Sequence, residues 1–167
     1  MLKPQDIIVA LKLVDAASHE KAFPKLAEAL GMSASEVHAA VKRAVLSGLV
    51  DAERRSTRKD GLCEFLVHGL RYVFPAEWSG VTRGVPTSYA APPLKAQFPE
   101  VEMPPVWPHP EGTARGEGLA PLYKSAPGAA LRDPRLYEWL ALVDAVRAGR
   151  ARERKLATRE IERRLRS

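Results

Sequence analysis

The chain has 167 residues, 46% of them apolar, a formal net charge of +6 and a sequence pI of about 9.7. One cysteine, Cys63, excludes an intrachain disulfide framework and a multi-cysteine zinc site. The first twenty residues carry no basic segment followed by a long apolar one, and no apolar run reaches the roughly 18–20 residues of a membrane span. These features are expected of a cytoplasmic protein with no membrane association.

The charge is unevenly distributed. From Arg147 onward nine Lys/Arg stand against three Glu, an excess equal to the net charge of the whole chain. A second basic zone lies between Lys42 and Lys59, with six basic and two acidic residues. Such a balance favours an anionic partner and leaves the fold undetermined.

In chain order, Pro4 suits the first turn of a helix, and Ile7, Leu11 and Val14 repeat at helical spacing. Pro24 opens a second short helix with Leu26, Ala27 and Leu30 inward, ended by Gly31. Ser33-Ala34-Ser35-Glu36 fits a capping box, in which the Ser33 hydroxyl and the Glu36 carboxylate each accept an otherwise orphan amide hydrogen bond. A third helix is expected over 34–47, with Val37, Val41, Ala44 and Val45 toward the core and Gly48 as its stop. Leu49 to Glu53 reads as a short strand and residues 54–61 as a polar wing tip. Helical spacing over 62–69 and strand propensity over 70–74 predict a hairpin wing interrupted by a helix.

Residues 75–128 hold eleven of the fourteen prolines. Proline removes a backbone donor and fixes φ, which argues against a long helix or a central strand. Trp78, Tyr89, Phe98, Trp107 and Tyr123 argue against disorder. An ordered, extended arm is expected, with a flexible linker as the alternative. Asp133-Pro134 then supplies an N-cap and a first-turn proline, followed by an apolar stripe at Leu136, Trp139, Leu140, Val143 and Val146. Beyond Gly149, Leu156, Ile161 and Leu165 stand among interleaved Arg and Glu, suited to a helix supported by i,i+4 pairs. That helix reads as a second contact with nucleic acid or an acidic protein, or as a solvated face of a helix used for dimerisation.

Helix, Gly-containing turn, capped helix and Gly48-Leu49-Val50 form the layout of a helix-turn-helix. Small residues at 27, 29, 40 and 44 let the two helices cross closely, and His38, Lys42 and Arg43 supply donors. LAEALGMSASEVHAAVKRA followed by SGLV resembles the bacterial winged-helix regulators, broadly the MarR-like ones, over about residues 4–74. The resemblance implies a mainly α fold with a small β-wing, α+β in class: a winged helix-turn-helix domain at 1–74, a Pro-rich arm at 75–128 and C-terminal helices with a basic tail at 129–167. It implies a sequence-specific regulator of double-stranded DNA, a homodimer, with no enzymatic activity and no cofactor. Carried onto this chain, the base-facing positions are Ser35, Glu36, His38, Ala39 and Lys42. The phosphate-facing positions are Ser33, Arg43, Arg54, Arg55, Arg58 and Lys59. The chain is also similar to antitoxins, which makes a partner protein such as a cognate toxin the competing expectation. In that reading the helix-turn-helix is a scaffold and residues 75–148 grip the partner, with Trp78, Trp107 and Trp139 exposed.

No P-loop, GxSxG or HExxH is present, and His19, His38, His68 and His109 have no neighbour at metal-ligand spacing. Cys63 beside Glu64 carries no catalytic signature and reads as a small buried hydrophobe. Asp6, Asp15 and Glu20 form no acid–base pair by spacing.

Overall fold

The computed structural model describes residues 1–166. The fold is mixed α+β, eight helices with a two-stranded hairpin and a three-stranded barrel among the described residues. Ser167, the last residue of the expected C-terminal region, lies outside them. No helix of the described residues is long and apolar enough to cross a membrane.

Helix α1 spans Pro4–Val14, with Pro4 in its first turn and the Lys3 amide bonded to Asp6 Oδ2 at 2.8 Å. Its face from Ile7 to Leu11 is fully buried. Helix α2 spans Phe23–Leu30 and stops at Gly31, whose φ of 66° is the left-handed conformation that glycine adopts without a Cβ clash. Helix α3 spans Ala34–Leu46. The capping box forms as its sequence demands: Glu36 N–H donates to Ser33 Oγ at 3.1 Å, and Ser33 N–H to Glu36 Oε2 at 2.7 Å. Val37, Ala40, Val41 and Ala44 face the core, where α3 packs on α1 and α2. The small residues at 27, 40 and 44 are buried at this crossing.

The hairpin departs from expectation. Strand β1, Val50–Asp51, pairs antiparallel with β2, Ser56–Thr57, which falls inside the stretch expected to be only a tip. Arg55 takes a φ of 47° at the turn, and Thr57 Oγ1 fastens the returning strand to the Ala10 carbonyl of α1 at 2.5 Å. The hairpin therefore closes before α4, Lys59–His68, begins, and no helix interrupts it. The strand expected at 70–74 is instead a helical turn, α5, Leu70–Val73. Leu70 is fully buried here while Tyr72 and Val73 are exposed, a pattern set by burial of one helix side rather than by strand propensity.

A central strand is present where the proline content argued against one. Strand β3, Trp78–Pro86, pairs antiparallel with β4, Pro105–Pro108, and with β5, Ala114–Leu119, while β4 and β5 pair in parallel to close a barrel. The prolines are tolerated because they sit at strand ends: Pro86 ends β3, and Pro105 and Pro108 bound β4. Glycines allow so small a barrel to close. A Cβ on Gly84 would overlap the Trp107 carbonyl, and one on Gly116 the Pro104 carbonyl.

Helices α6, Ala126–Arg132, α7, Pro134–Ala148, and α8, Ala151–Arg166, complete the chain. Asp133 caps α7, accepting from the amides of Arg135 and Leu136 at 3.1 Å each, and its other oxygen takes Lys12 Nζ at 2.8 Å. The expected stripe from Leu136 to Val146 is buried, and so are Ala141, Leu142, Asp144 and Ala145 on the remaining sides of α7. This helix is the axis of the molecule: α1, α5, α6, α8 and the residues after β3 all pack on it. One hydrophobic cluster runs from Ile7 to Leu165. Each large apolar side chain fully buried in it contributes about 1.5–3 kcal/mol.

Candidate nucleic-acid interface

The face of α3 turned away from α1 carries Ser35, His38, Ala39, Lys42 and Leu46. At about 100° per residue these positions fall on one side of the helix. All are exposed except Ala39, which is half-buried, and Leu46 is 79% exposed. His38 stands edge-on to Phe23 of α2 with ring centroids 4.9 Å apart, and the Arg55 guanidinium lies 3.9 Å from the centre of the same Phe23 ring. Arg55 Nη1 also donates to the Lys21 carbonyl at 2.7 Å. The hairpin turn is thereby fixed against α2 and α3. A shallow concavity of about 240 Å³ results, walled by Phe23, His38, Val41, Lys42, Val45 and Arg55.

Three predicted residues thus meet around one concavity: His38, Lys42 and Arg55. Ser33, Ser35 and Glu36 gather at the first turn of α3, where Ser33 Oγ also lies 3.2 Å from Ser35 Oγ. Arg54 and Arg58 are exposed on the hairpin, with Arg58 Nη2 3.5 Å from Asp51 Oδ2, and Lys59 is exposed at the start of α4. Arg43 is elsewhere. Its guanidinium grips the fully buried Asp6 of α1 in a two-pronged pair, Nε to Oδ2 at 2.9 Å and Nη2 to Oδ1 at 2.8 Å. A guanidinium so held anchors α3 to α1 and is spent on that packing.

Glu36 is also committed. Its Oε2 accepts from Ser33 N–H, and its Oε1 accepts from the Tyr123 hydroxyl at 2.6 Å. These bonds, that from Tyr123 foremost, hold the carboxyl below its usual 4.5, and nearby Lys124 lowers it further. Glu36 therefore braces the first turn of α3 rather than offering its oxygens outward. Tyr123, Lys124 and Arg132 were not signalled by the sequence, because they follow the barrel. Arg132 Nη2 donates to the Ala29 carbonyl at 3.2 Å, beside the α2–α3 turn. Only the tertiary fold places them there.

In residues 75–148, Trp107 and Trp139 are 1% exposed, whereas Trp78 is 46% exposed. A cleft of about 610 Å³ opens in the barrel region, walled by Tyr89, Pro92, Pro93, Phe98 and Val101. Comparisons with protein-family models, with curated proteins and with solved structures returned no match for this chain.

Proposed function

We propose that this chain is a cytoplasmic, sequence-specific regulator of double-stranded DNA, of winged helix-turn-helix type, acting as a homodimer. Helix α3 would enter the major groove and the β1–β2 hairpin would lie along the phosphates. The observation that supports this reading most is the outer face of α3. It is exposed, carries the donors His38 and Lys42 beside small side chains, and is held rigidly at its first turn and against α1. A helix of about 10–12 Å diameter fits a major groove about 12 Å wide. Ser35, His38, Ala39 and Lys42 would meet base edges, with Arg54, Arg58 and Lys59 on the backbone. Phosphate contacts position the protein and base contacts specify sequence. Burial of Trp107 and Trp139 takes weight from the competing reading, in which a tryptophan stripe grips a partner protein such as a cognate toxin. Exposed Trp78 is what supports that second reading.

The test is a selection of randomised duplex DNA on the purified protein at about 150 mM salt. Enrichment of an inverted repeat is expected. Recovery of no sequence above background overturns the regulator reading.

A further inference from the structure

Helix α8 separates its residue types sharply. Arg152, Lys155, Arg159, Arg163 and Arg166 are all exposed. At about 100° per residue they fall within an arc of roughly 80°, and at 1.5 Å per residue they extend over about 21 Å. The acidic residues of the helix, Glu153, Glu160 and Glu162, are half-buried on its flanks. Arg163 and Arg166 are paired with two of them, yet their side chains remain 69% and 75% exposed.

The opposite face is already occupied. Ala157, Ile161 and Leu165 are buried where α8 packs on α7 and α4. Dimerisation through this helix would need that apolar face, so the reading of α8 as a dimer seam loses its support. What α8 offers to solvent is a line of cations.

The line ends beside α4. Arg166 there shares a shallow concavity with Asp60, Cys63, Glu64 and Glu162, so carboxylates stand between the line and the hairpin. The basic residues Arg58 and Lys59 immediately precede Asp60 in the chain.

We propose that the outer face of α8 is a second, sequence-independent contact for the phosphate backbone of duplex DNA, separate from that of the β1–β2 hairpin. The proposal rests on the DNA-binding reading but uses none of the residues assigned to base contact. Arg152 lies 4.9 Å from the centre of the Phe98 ring, and Lys155, Arg159, Arg163 and Arg166 extend the row of cations beyond it. A row of guanidinium and ammonium groups suits phosphates, which need charge, more than bases, which need shape and stacking.

The experiment compares the full chain with Arg152→Gln/Lys155→Gln/Arg159→Gln and with the charge-preserving Arg152→Lys/Lys155→Arg/Arg159→Lys. Binding to a random-sequence duplex is measured between about 50 and 200 mM salt, and the duplex selection is repeated on each. Each lost phosphate contact lowers the magnitude of the log–log salt slope by about 0.9, so the neutral variant should lose about 2.7. On the same relation its affinity at about 0.15 M salt should fall on the order of a hundredfold, with an unchanged enriched sequence. The charge-preserving variant should keep the wild-type slope.

A neutral variant with the wild-type slope overturns the α8 proposal and leaves the reading of α3 standing. An equal loss in both variants also overturns it, since charge would then not be the cause. Loss of slope with no enriched sequence in any protein supports α8 and removes the base-reading role of α3. No duplex binding by the wild-type chain at the lowest salt overturns both.

Discussion

The Tyr123 hydroxyl donates to Glu36 Oε1 at 2.6 Å, joining the segment after the barrel to the first turn of α3 across 87 positions of sequence. Glu36 therefore serves two partners at once, since its other oxygen closes the capping box on Ser33. The start of the proposed reading helix is thus set by a residue outside the helix-turn-helix.

Tyr123→Phe should raise the Glu36 carboxyl toward its usual range, because the Tyr123 bond is the largest cause lowering it. A carboxyl lowered in the folded state adds stability above its unfolded value, and that stability is lost as pH falls through the folded value. The variant should flatten the acid dependence of unfolding just below pH 4.5, the ordinary value for this carboxyl. Carboxyl NMR titration of Glu36 in the two proteins checks it. An unmoved titration midpoint would show that Tyr123 does not hold the carboxylate.

Asp144 ties three regions together. It is fully buried, with Oδ2 accepting from Thr87 Oγ1 at 2.6 Å and Trp107 Nε1 at 2.7 Å, and Oδ1 from Arg147 Nη1 at 2.9 Å. Arg147 goes on to donate to the Phe74 carbonyl at 2.9 Å. Burial holds the Asp144 carboxyl above its ordinary value, an effect that the Arg147 guanidinium and the two neutral donors offset only in part. Three donors converge on its oxygens, so the carboxylate is the form this site satisfies. Asp144→Ala leaves a nearly buried guanidinium and an indole N–H without their acceptor. Removing one partner of a buried pair costs about 3–5 kcal/mol. Urea unfolding should show this loss, with Asp144→Asn losing less. A change below about 1 kcal/mol, the worth of an ordinary hydrogen bond, would show the network to be dispensable.

The local elements of the first fifty residues were legible because their signals are local. Pro4, Gly31 and the Ser33–Glu36 box each act within four residues, and the structure places helix ends at them. The barrel was not legible. Its closure depends on Gly84 and Gly116 admitting carbonyls from distant residues, and proline content alone cannot distinguish strand ends from strand interiors. Residues 70–74 misled for a related reason: their strand propensity yields to burial of Leu70 on one side of a turn. In the candidate interface, the sequence did not signal that the Arg43 guanidinium is paired with a buried carboxylate. Its partner, Asp6, lies 37 positions away on α1.

Glu160 should govern acid stability at the C-terminal end. Hydrogen bonds from Arg163, with further help from Arg164, take its carboxyl down to about 2 against a burial effect that raises it. Glu160 Oε1 receives Arg164 Nε at 2.8 Å, and Arg164 Nη2 reaches Glu138 of α7 at 2.8 Å. Glu160 thus holds Arg164, and Arg164 fastens α8 to α7. Because the folded value lies below the unfolded 4.5, the stabilisation is present above that pH and is lost as pH falls from 4.5 toward about 2. Glu160→Gln should remove this limb, leaving a shallower loss of stability over that window. Thermal unfolding followed at several pH values checks it, and an unchanged acid limb would assign it to other carboxyls.

The proposed reading face separates from its supports by substitution. Lys42 is exposed on α3, so Lys42→Ala should leave stability within about 0.5 kcal/mol, whereas His38→Ala also gives up the edge-on contact with Phe23 and should cost about 0.5–1.5 kcal/mol. Each should cost about 1–3 kcal/mol on the selected sequence and relax preference at one position. Arg54→Ala should weaken binding to selected and random duplexes alike and reduce the salt slope by about 1. Arg55 is a poorer probe of phosphate contact, because its guanidinium is stacked on Phe23 and bonded to the Lys21 carbonyl. Arg43→Ala behaves differently again. It strands the fully buried Asp6 carboxylate, so its loss should appear as about 3–5 kcal/mol of folding stability rather than as altered base preference. Parallel duplex binding and urea unfolding of the four alanine variants distinguish these outcomes. Equal losses on selected and random DNA for Lys42→Ala, His38→Ala and Arg54→Ala would remove the base-reading role from α3. A fully stable Arg43→Ala with weakened binding would return Arg43 to the phosphate-facing set.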